Sequence, residues 1–249
     1  MIIMKFTTDG LVIKEMNIGD TDRLITVLTR DYGVIKAFAA GAKNIKSKKG
    51  SATGLLAFSD FLIDKKVDTY KIREATAKKV FLNLGSDIES FALSQYFCEL
   101  CSVLGPQEGS GSEEFLRLIL NSLYFLCEKK RNPTVIKAIT ELKIASICGY
   151  APNVVACESC GRFEDDQMYF KLDEGILLCG ECKRGNLCRK INRTVLEAIR
   201  HIVFSKFENL YQFEIPENDA KTLSELSEKY ISVQSEHSFS TLNFYKSIL

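Results

Sequence analysis

Residues 23–40 read RLITVLTRDYGVIKAFAA. Two short runs rich in β-branched and aromatic residues, 23–29 and 34–40, flank the tripeptide Asp31-Tyr32-Gly33. Runs of this type favour strands, and a glycine-containing break of this length between them is a hairpin signal. Working outward, the segments 10–14, 55–64 and 70–81 have the same character. In the last of them Tyr70, Ile72, Glu74 and Thr76 fall on one side of a period-two pattern. The turn-forming stretches 17–22 and 41–54 separate the runs. Five strands in some eighty residues without a long helix predict a small closed barrel, either an OB-fold or an SH3-like barrel.

Beyond residue 85 the apolar period becomes helical. Gly85-Ser86-Asp87 offers a cap for a helix that runs to about 104, and Ser110 with Glu113 fits a capping box for a second. Asn132-Pro133 is an N-cap followed by proline at the first helical position, and that helix ends at Gly149. Asn192 can cap a further helix, and the segments 222–236 and 239–249 predict two more.

Between these helices lies CESCGRFEDDQMYFKLDEGILLCGEC, residues 157–182. Cys157 and Cys160, then Cys179 and Cys182, form two Cys-x-x-Cys pairs eighteen residues apart. This is the spacing of a four-thiolate structural zinc site, in which each tight turn aims two sulfurs at one ion. Gly161 relaxes the first turn, and a hairpin turning at 173–175 would return the second pair beside the first. Four thiolates fill a tetrahedral sphere and leave no position for water, so the expected zinc, one per chain, is structural. Cys98, Cys101, Cys127 and Cys148 read as core thiols and Cys188 as a spare.

The 249-residue composition, 46% hydrophobic and 26% charged, is that of an ordinary globular chain. No apolar run is long enough for a bilayer, and the start MIIMKFTTDG lacks the form of a signal peptide, so a cytoplasmic location is expected. Nine cysteines there point to free thiols or metal ligands. No Walker A or Rossmann glycine pattern occurs, and His201 and His237 have no triad partners in view. The zinc deaminase signature and the Lys-x-Asp-Gly motif of DNA ligases are also absent. Asp165, Asp166, Asp173 and Glu174 read as a solvated hairpin edge. The sequence therefore describes a binding protein and not an enzyme.

The net charge of +1 conceals an asymmetry. Residues 1–80 hold fifteen Lys plus Arg against nine Asp plus Glu, so an anionic partner is expected for that part. The loop 41–54 carries Lys43, Lys46, Lys48 and Lys49 without an acid, and is expected to lie exposed along a phosphate backbone. Arg23 and Lys36 on adjacent strands would add to this contact. Phe38, Phe58 and Tyr70 are candidates for stacking on bases.

The stretch GDTDRLITVLTRDYGVIKAFAAGAKNIKSKKG (19–50), the run ELKIASICGYAPNVVACESCG (141–161), GILLCGEC (175–182) and the ending STLNFYKSIL together resemble the RecO family of bacterial recombination mediators. The resemblance covers nearly the whole chain. It implies an α+β protein with an N-terminal five-stranded OB-fold, residues 1–82, that binds nucleic acid. An α-helical domain would follow over 83–249, with the zinc module inserted at about 153–188. It also implies binding of single- and double-stranded DNA and annealing of single strands. With RecR, such a protein would help load RecA onto strands coated by single-strand binding protein, in the bacterial cytoplasm at the nucleoid. Single-strand binding protein would meet the helical part, with the helix around Lys137 to Lys143 and the one bearing Arg193 and Arg200 as candidates. The alternative expectation is an OB-plus-zinc-ribbon RNA-binding or transcription accessory protein.

Overall fold

The computed structural model describes residues 4–44, 47, 49–67, 69–107, 109 and 112–249. Five strands, β1 (Met4–Ile18), β2 (Asp22–Thr29), β3 (Gly33–Ala39), β4 (Ala57–Lys66) and β5 (Thr69–Val80), close into a barrel of order β1-β2-β3-β5-β4. All neighbours run antiparallel except β3 and β5, which pair in parallel at Ala37–Tyr70 and Phe38–Lys71. With a short helix, α1 (Lys49–Ala52), between β3 and β4, this is the OB-fold and excludes the SH3-like alternative.

The hairpin forms where its residues dictate, with Thr29 opposite Gly33. Gly33 has φ +71°, and a Cβ there would lie 2.2 Å from the carbonyl oxygen of Pro106. β1 is longer than the expected 10–14, because it serves two neighbours: its first half pairs with β4 and its second with β2. At the crossover Gly10 faces both Thr29 and Ser59, and a side chain would meet the Val27 Cγ1 at 2.7 Å.

Inward positions alternate as expected on β3, where Ile35, Ala37 and Ala39 are buried and Lys36 is exposed. On β5 the alternation breaks. The register between β4 and β5 shifts between Leu62 and Ile63, leaving one extra residue on β5. Ile72 points inward, but the next inward residue is Ala75 and not Glu74. The loop expected to be exposed is partly packed: Ala42, Ala52 and Thr53 are buried, and Ala42 and Ala52 join the barrel core of Val12, Ile25, Val27 and Phe61.

On the barrel surface Asp9 accepts from Arg30 Nε at 2.6 Å and Nη2 at 2.9 Å, and from Lys78 Nζ at 3.2 Å. The Arg30 hydrogen bond holds the Asp9 carboxyl below the ordinary carboxylate range, against the opposing push of burial. A lowered folded value gives stability that is present above the unfolded value, about 3.9, and is lost as pH falls through the folded one. Asp9→Asn is therefore expected to lower Tm at neutral pH, with the gap to wild type closing below about pH 4. A gap that stays constant down to strong acid would assign the loss to shape and not to charge.

The chain divides into two compact units, Met1–Cys127 with Ser240–Leu249, and Glu128–Phe239. The first unit adds α2 (Ile88–Leu104) and α3 (Ser112–Cys127) to the barrel, and the final helix, α7 (Ser240–Ser247), packs on α2. Glu99 of α2 fixes that helix by accepting from the Ser240 and Thr241 backbone N–H groups at 3.1 and 2.9 Å. The compact division thus differs from a boundary at 82/83, because these three helices go with the barrel. Of the expected cap stretch Gly85-Ser86-Asp87, it is Asp87 that caps α2, while Ser110 of the expected capping box lies outside the described residues.

The second unit holds α4 (Pro133–Ile147), four short strands, and α5 (Arg193–Phe204) and α6 (Glu217–Ser235). Asn132 and Asn192 cap α4 and α5 through their side chains. The last of these helices starts at Glu217 and not at 222, because Pro216 occupies the cap and Glu217 and Asp219 suit the first turn. The strands β6 (Asn153–Cys157), β7 (Met168–Lys171), β8 (Ile176–Cys179) and β9 (Cys188–Ile191) form a sheet of order β6-β8-β7-β9. Among the described residues no helix is long and apolar enough to cross a membrane.

Candidate metal centre and nucleic-acid interface

The expected hairpin between the cysteine pairs is β7 and β8, with Gly175 at φ +65° in its turn. Because β8 also pairs in parallel with β6, both strands deliver a cysteine at their C-terminal ends, Cys157 and Cys179. Each strand then turns sharply. The Gly161 N–H donates to the Cys157 carbonyl at 2.8 Å, and the Cys182 N–H to the Cys179 carbonyl at 3.1 Å. Cys160 and Cys182 are thereby swung toward the strand ends.

The sulfurs of Cys157, Cys160, Cys179 and Cys182 all lie within 4.8 Å of one another, and those of Cys160 and Cys179 are 3.7 Å apart. A tetrahedral ion with metal–sulfur bonds of about 2.3 Å sets its sulfurs about 3.8 Å apart. The donor set and spacing therefore fit a thiophilic divalent metal. Burial raises the Cys157 thiol, but the N–H groups of Cys179, Cys160 and Ser159 outweigh it and bring the value down to about 6. The Cys182 thiol is pushed up to about 12, first by Cys179 and then by Cys160. Thiols this close cannot all ionise together, and a cation among them removes the conflict. Cys188 stands outside the group, with its Sγ donating to the Arg184 carbonyl at 3.1 Å. Cys98 and Cys101 are buried in α2.

Side chains around the module brace it. Arg162 ties the two turns by pairing with Asp165 and with Glu181, the latter at 3.1 Å. Asp173 and Glu174 pair with Lys171, so these carboxylates are ion-pair partners at the module's surface. Arg200 donates to the carbonyls of Val154, Val155 and Phe163 at 2.8–2.9 Å, and its guanidinium stacks 4.1 Å from the Phe163 ring centroid. It is thus a brace for the module and not a free cation of the candidate partner helix. The two lysines of α4 are likewise internal. Lys137 is buried against Glu141, Glu228 and Ser224, and Lys143 donates to carbonyls 202, 203 and 205 at the end of α5. Arg193 is exposed but engages Glu164 and Glu197.

The barrel's expected DNA contacts divide in the same way. Arg23 donates to the Gly50 carbonyl at 2.8 Å and lies 3.6 Å from Glu15, so it holds the loop 41–54 against β1 and β2. Lys49 turns back to the carbonyls of Ala40 at 3.1 Å and Ile72 at 3.5 Å. Lys43 reaches the Gly19 carbonyl at 3.3 Å from the rim of the loop. Lys46 and Lys48 lie outside the described residues. Lys36 is exposed on β3. Two places along β3 from it is Phe38, half-buried on the same outward side, and Phe38 pairs with exposed Lys71 of β5. Lys36, Phe38 and Lys71 thus form a small basic platform around an aromatic ring. Lys71 had no signal in the sequence, because only the parallel β3–β5 pairing brings it beside Phe38. Of the other stacking candidates, Tyr70 packs edge-on to Phe6, and Phe58 lies under Lys78.

Comparison with known proteins agrees with this architecture. Residues 3–81 match the family described as Recombination protein O N terminal, and residues 85–242 match Recombination protein O C terminal. The chain is 33% identical over 242 residues to DNA repair protein RecO of Acetivibrio thermocellus, spanning 97% of this chain and 96% of that protein. It is 29% identical over 241 residues to the protein of the same name from Caldicellulosiruptor bescii, spanning 97% and 98%. The protein of that name from Alkaliphilus metalliredigens is 25% identical over 247 residues.

Proposed function

The chain belongs to the RecO family of DNA repair proteins, and from that membership and the site geometry we propose that it is a non-enzymatic DNA-binding mediator of recombinational repair. It binds single- and double-stranded DNA, anneals single strands, and with RecR helps load RecA onto strands coated by single-strand binding protein. It works in the bacterial cytoplasm at the nucleoid. The barrel, residues 1–82, is the primary DNA domain; the helical domain, 83–249, meets the protein partners, and the module at about 153–188 is held by one structural zinc on Cys157, Cys160, Cys179 and Cys182.

The observation that carries the DNA reading is the platform on the OB barrel, where Lys36 and Lys71 flank the half-buried ring of Phe38. Cations there take backbone phosphates and the ring takes a base face. Lys43 extends the contact onto the loop, and Lys46 and Lys48 belong to it by their place in the sequence. Arg23 and Lys49 contribute by shaping the loop.

Each phosphate neutralised on a single strand contributes about −0.7 to the log–log slope of affinity against salt. Replacing Lys36, Lys43 and Lys71 with alanine is expected to flatten that slope by about 2 and to weaken all sequences alike. The folded variant should also anneal protein-coated complementary strands more slowly. An unchanged slope would move the DNA site off this face, and preference for RNA with no annealing of coated DNA would favour an RNA-binding accessory role.

A further inference from the structure

The cysteine module contains a second group of cations whose situation differs from the rest. Arg162, Lys171 and Arg193 each hold at least one carboxylate. Lys183, Arg184, Arg189 and Lys190 hold none among the described residues, and all four are exposed. They fall within residues 183–193, which contain no acid, and the neighbouring Glu181 is taken up by Arg162. The charges are gathered by the second cysteine turn and by β9, an edge strand that among the described residues pairs only with β7.

An aromatic ring sits among them. Tyr169 of β7 is directly opposite Lys190 on β9, and the Lys183 ammonium lies 4.6 Å from the Tyr169 ring centroid. The ring is half-buried and its hydroxyl reaches Gln167 at 3.1 Å, so its orientation is fixed while part of its surface remains open. Charged residues on an edge strand also discourage strand pairing between molecules. That role requires neither a positioned aromatic nor cations in the preceding turn. A fixed ring between unneutralised cations is the arrangement that receives a base and its adjoining phosphates.

We propose that this face of the cysteine module is a second single-strand DNA site, with Lys183, Arg184 and Lys190 on phosphates and Tyr169 against a base; Arg189, opposite the buried Phe170, belongs to the other face of the sheet. The proposal rests on the DNA-binding reading of the barrel and extends it. Annealing requires two strands to be held by one protein, and a site in each compact unit supplies a place for each.

The test uses the full-length chain and two non-complementary oligonucleotides, one immobilised and one labelled. Wild type is expected to retain the labelled strand on the immobilised one. The variant with Lys183, Arg184 and Lys190 changed to alanine should still bind one strand but lose capture of the second, and its salt slope should flatten by about 2. Tyr169→Ala should weaken the second-strand affinity by about 5- to 150-fold, while Tyr169→Phe retains it. If wild type binds no strand at low salt, the DNA reading itself fails. If wild type captures two strands and the triple variant does so equally, only the second site is overturned. A triple variant that aggregates yet captures normally reduces these residues to edge protection. One that captures normally but no longer binds a polyglutamate peptide assigns the face to an acidic protein partner and overturns the DNA site.

Discussion

Purified protein will contain one zinc ion per chain, and Cys179→Ser will release it and melt the two cysteine turns. Cys179 is fully buried at the end of β8, within 4.8 Å of the other three sulfurs. A serine there cannot supply the fourth soft ligand, and the remaining thiols lose the cation that lets them ionise together. In isolated finger peptides such a site is worth on the order of 10–16 kcal/mol. The effect here is expected to be graded along the module. The base of the sheet has its own support: Phe170 packs edge-on to Tyr230 at 5.2 Å, and the Tyr230 hydroxyl donates to the Tyr150 carbonyl at 2.7 Å. The tips at Cys160 and Cys182 have little beyond the expected metal and the Arg162 bridge. Hydrogen exchange should therefore rise at the amides of Gly161, Cys179 and Cys182 well before it rises in β7. The barrel, in the other compact unit, should keep the DNA affinity proposed for it. Native protein without zinc by elemental analysis, with four freely titratable thiols in this module, would sink the metal assignment.

The second large effect is expected at Lys137. Lys137 and Glu141 are almost fully buried one turn apart on α4, with an Nζ–Oε1 distance of 3.1 Å. From α6, Glu228 approaches the same ammonium at 3.1 Å, Ser224 accepts from it at 3.2 Å, and the Ser227 hydroxyl donates to Glu141. Such a network compensates charges that were costly to remove from water. Taking away Lys137 removes the cation that Glu141 and Glu228 share, at about 3–5 kcal/mol. Lys137→Met is expected to fall in that range in urea unfolding of the full chain. Adding Glu141→Gln should recover much of the loss, because it removes the fully buried charge while the amide still meets Ser227, and Glu228 keeps partial access to water. If Lys137→Met costs under about 1 kcal/mol, or the added change restores nothing, the network does not act through buried charge.

The two predictions depend on signals of different kinds. The cysteine quartet was legible because its information is local: two-residue gaps bring thiols together within one turn, and Asp173-Glu174-Gly175 marks the hairpin between them. The same holds for the hairpin at Gly33 and for the caps at Asp87, Asn132 and Asn192, each formed within a few residues. Lys137 carries no such signal. A lysine on a helix reads as exposed until Glu228 and Ser224 approach from α6.

By itself, then, the sequence determined five strands in the first part, helices after them, and a four-thiol site between the helices, because turn chemistry, periodicity and ligand spacing act over short separations. The tertiary structure alone decided which cations remain available. Arg23, Lys49, Lys143 and Arg200 are drawn inward by carbonyl groups from segments distant in the chain. Lys36 and Lys71 are brought to one platform by a parallel strand pair that no local pattern announces. It also decided the phase of β5, where a bulge against β4 sends Ala75 inward in place of Glu74. A cationic side chain can be satisfied by water, a phosphate or a carbonyl oxygen, and the closure of the fold sets which of them it meets.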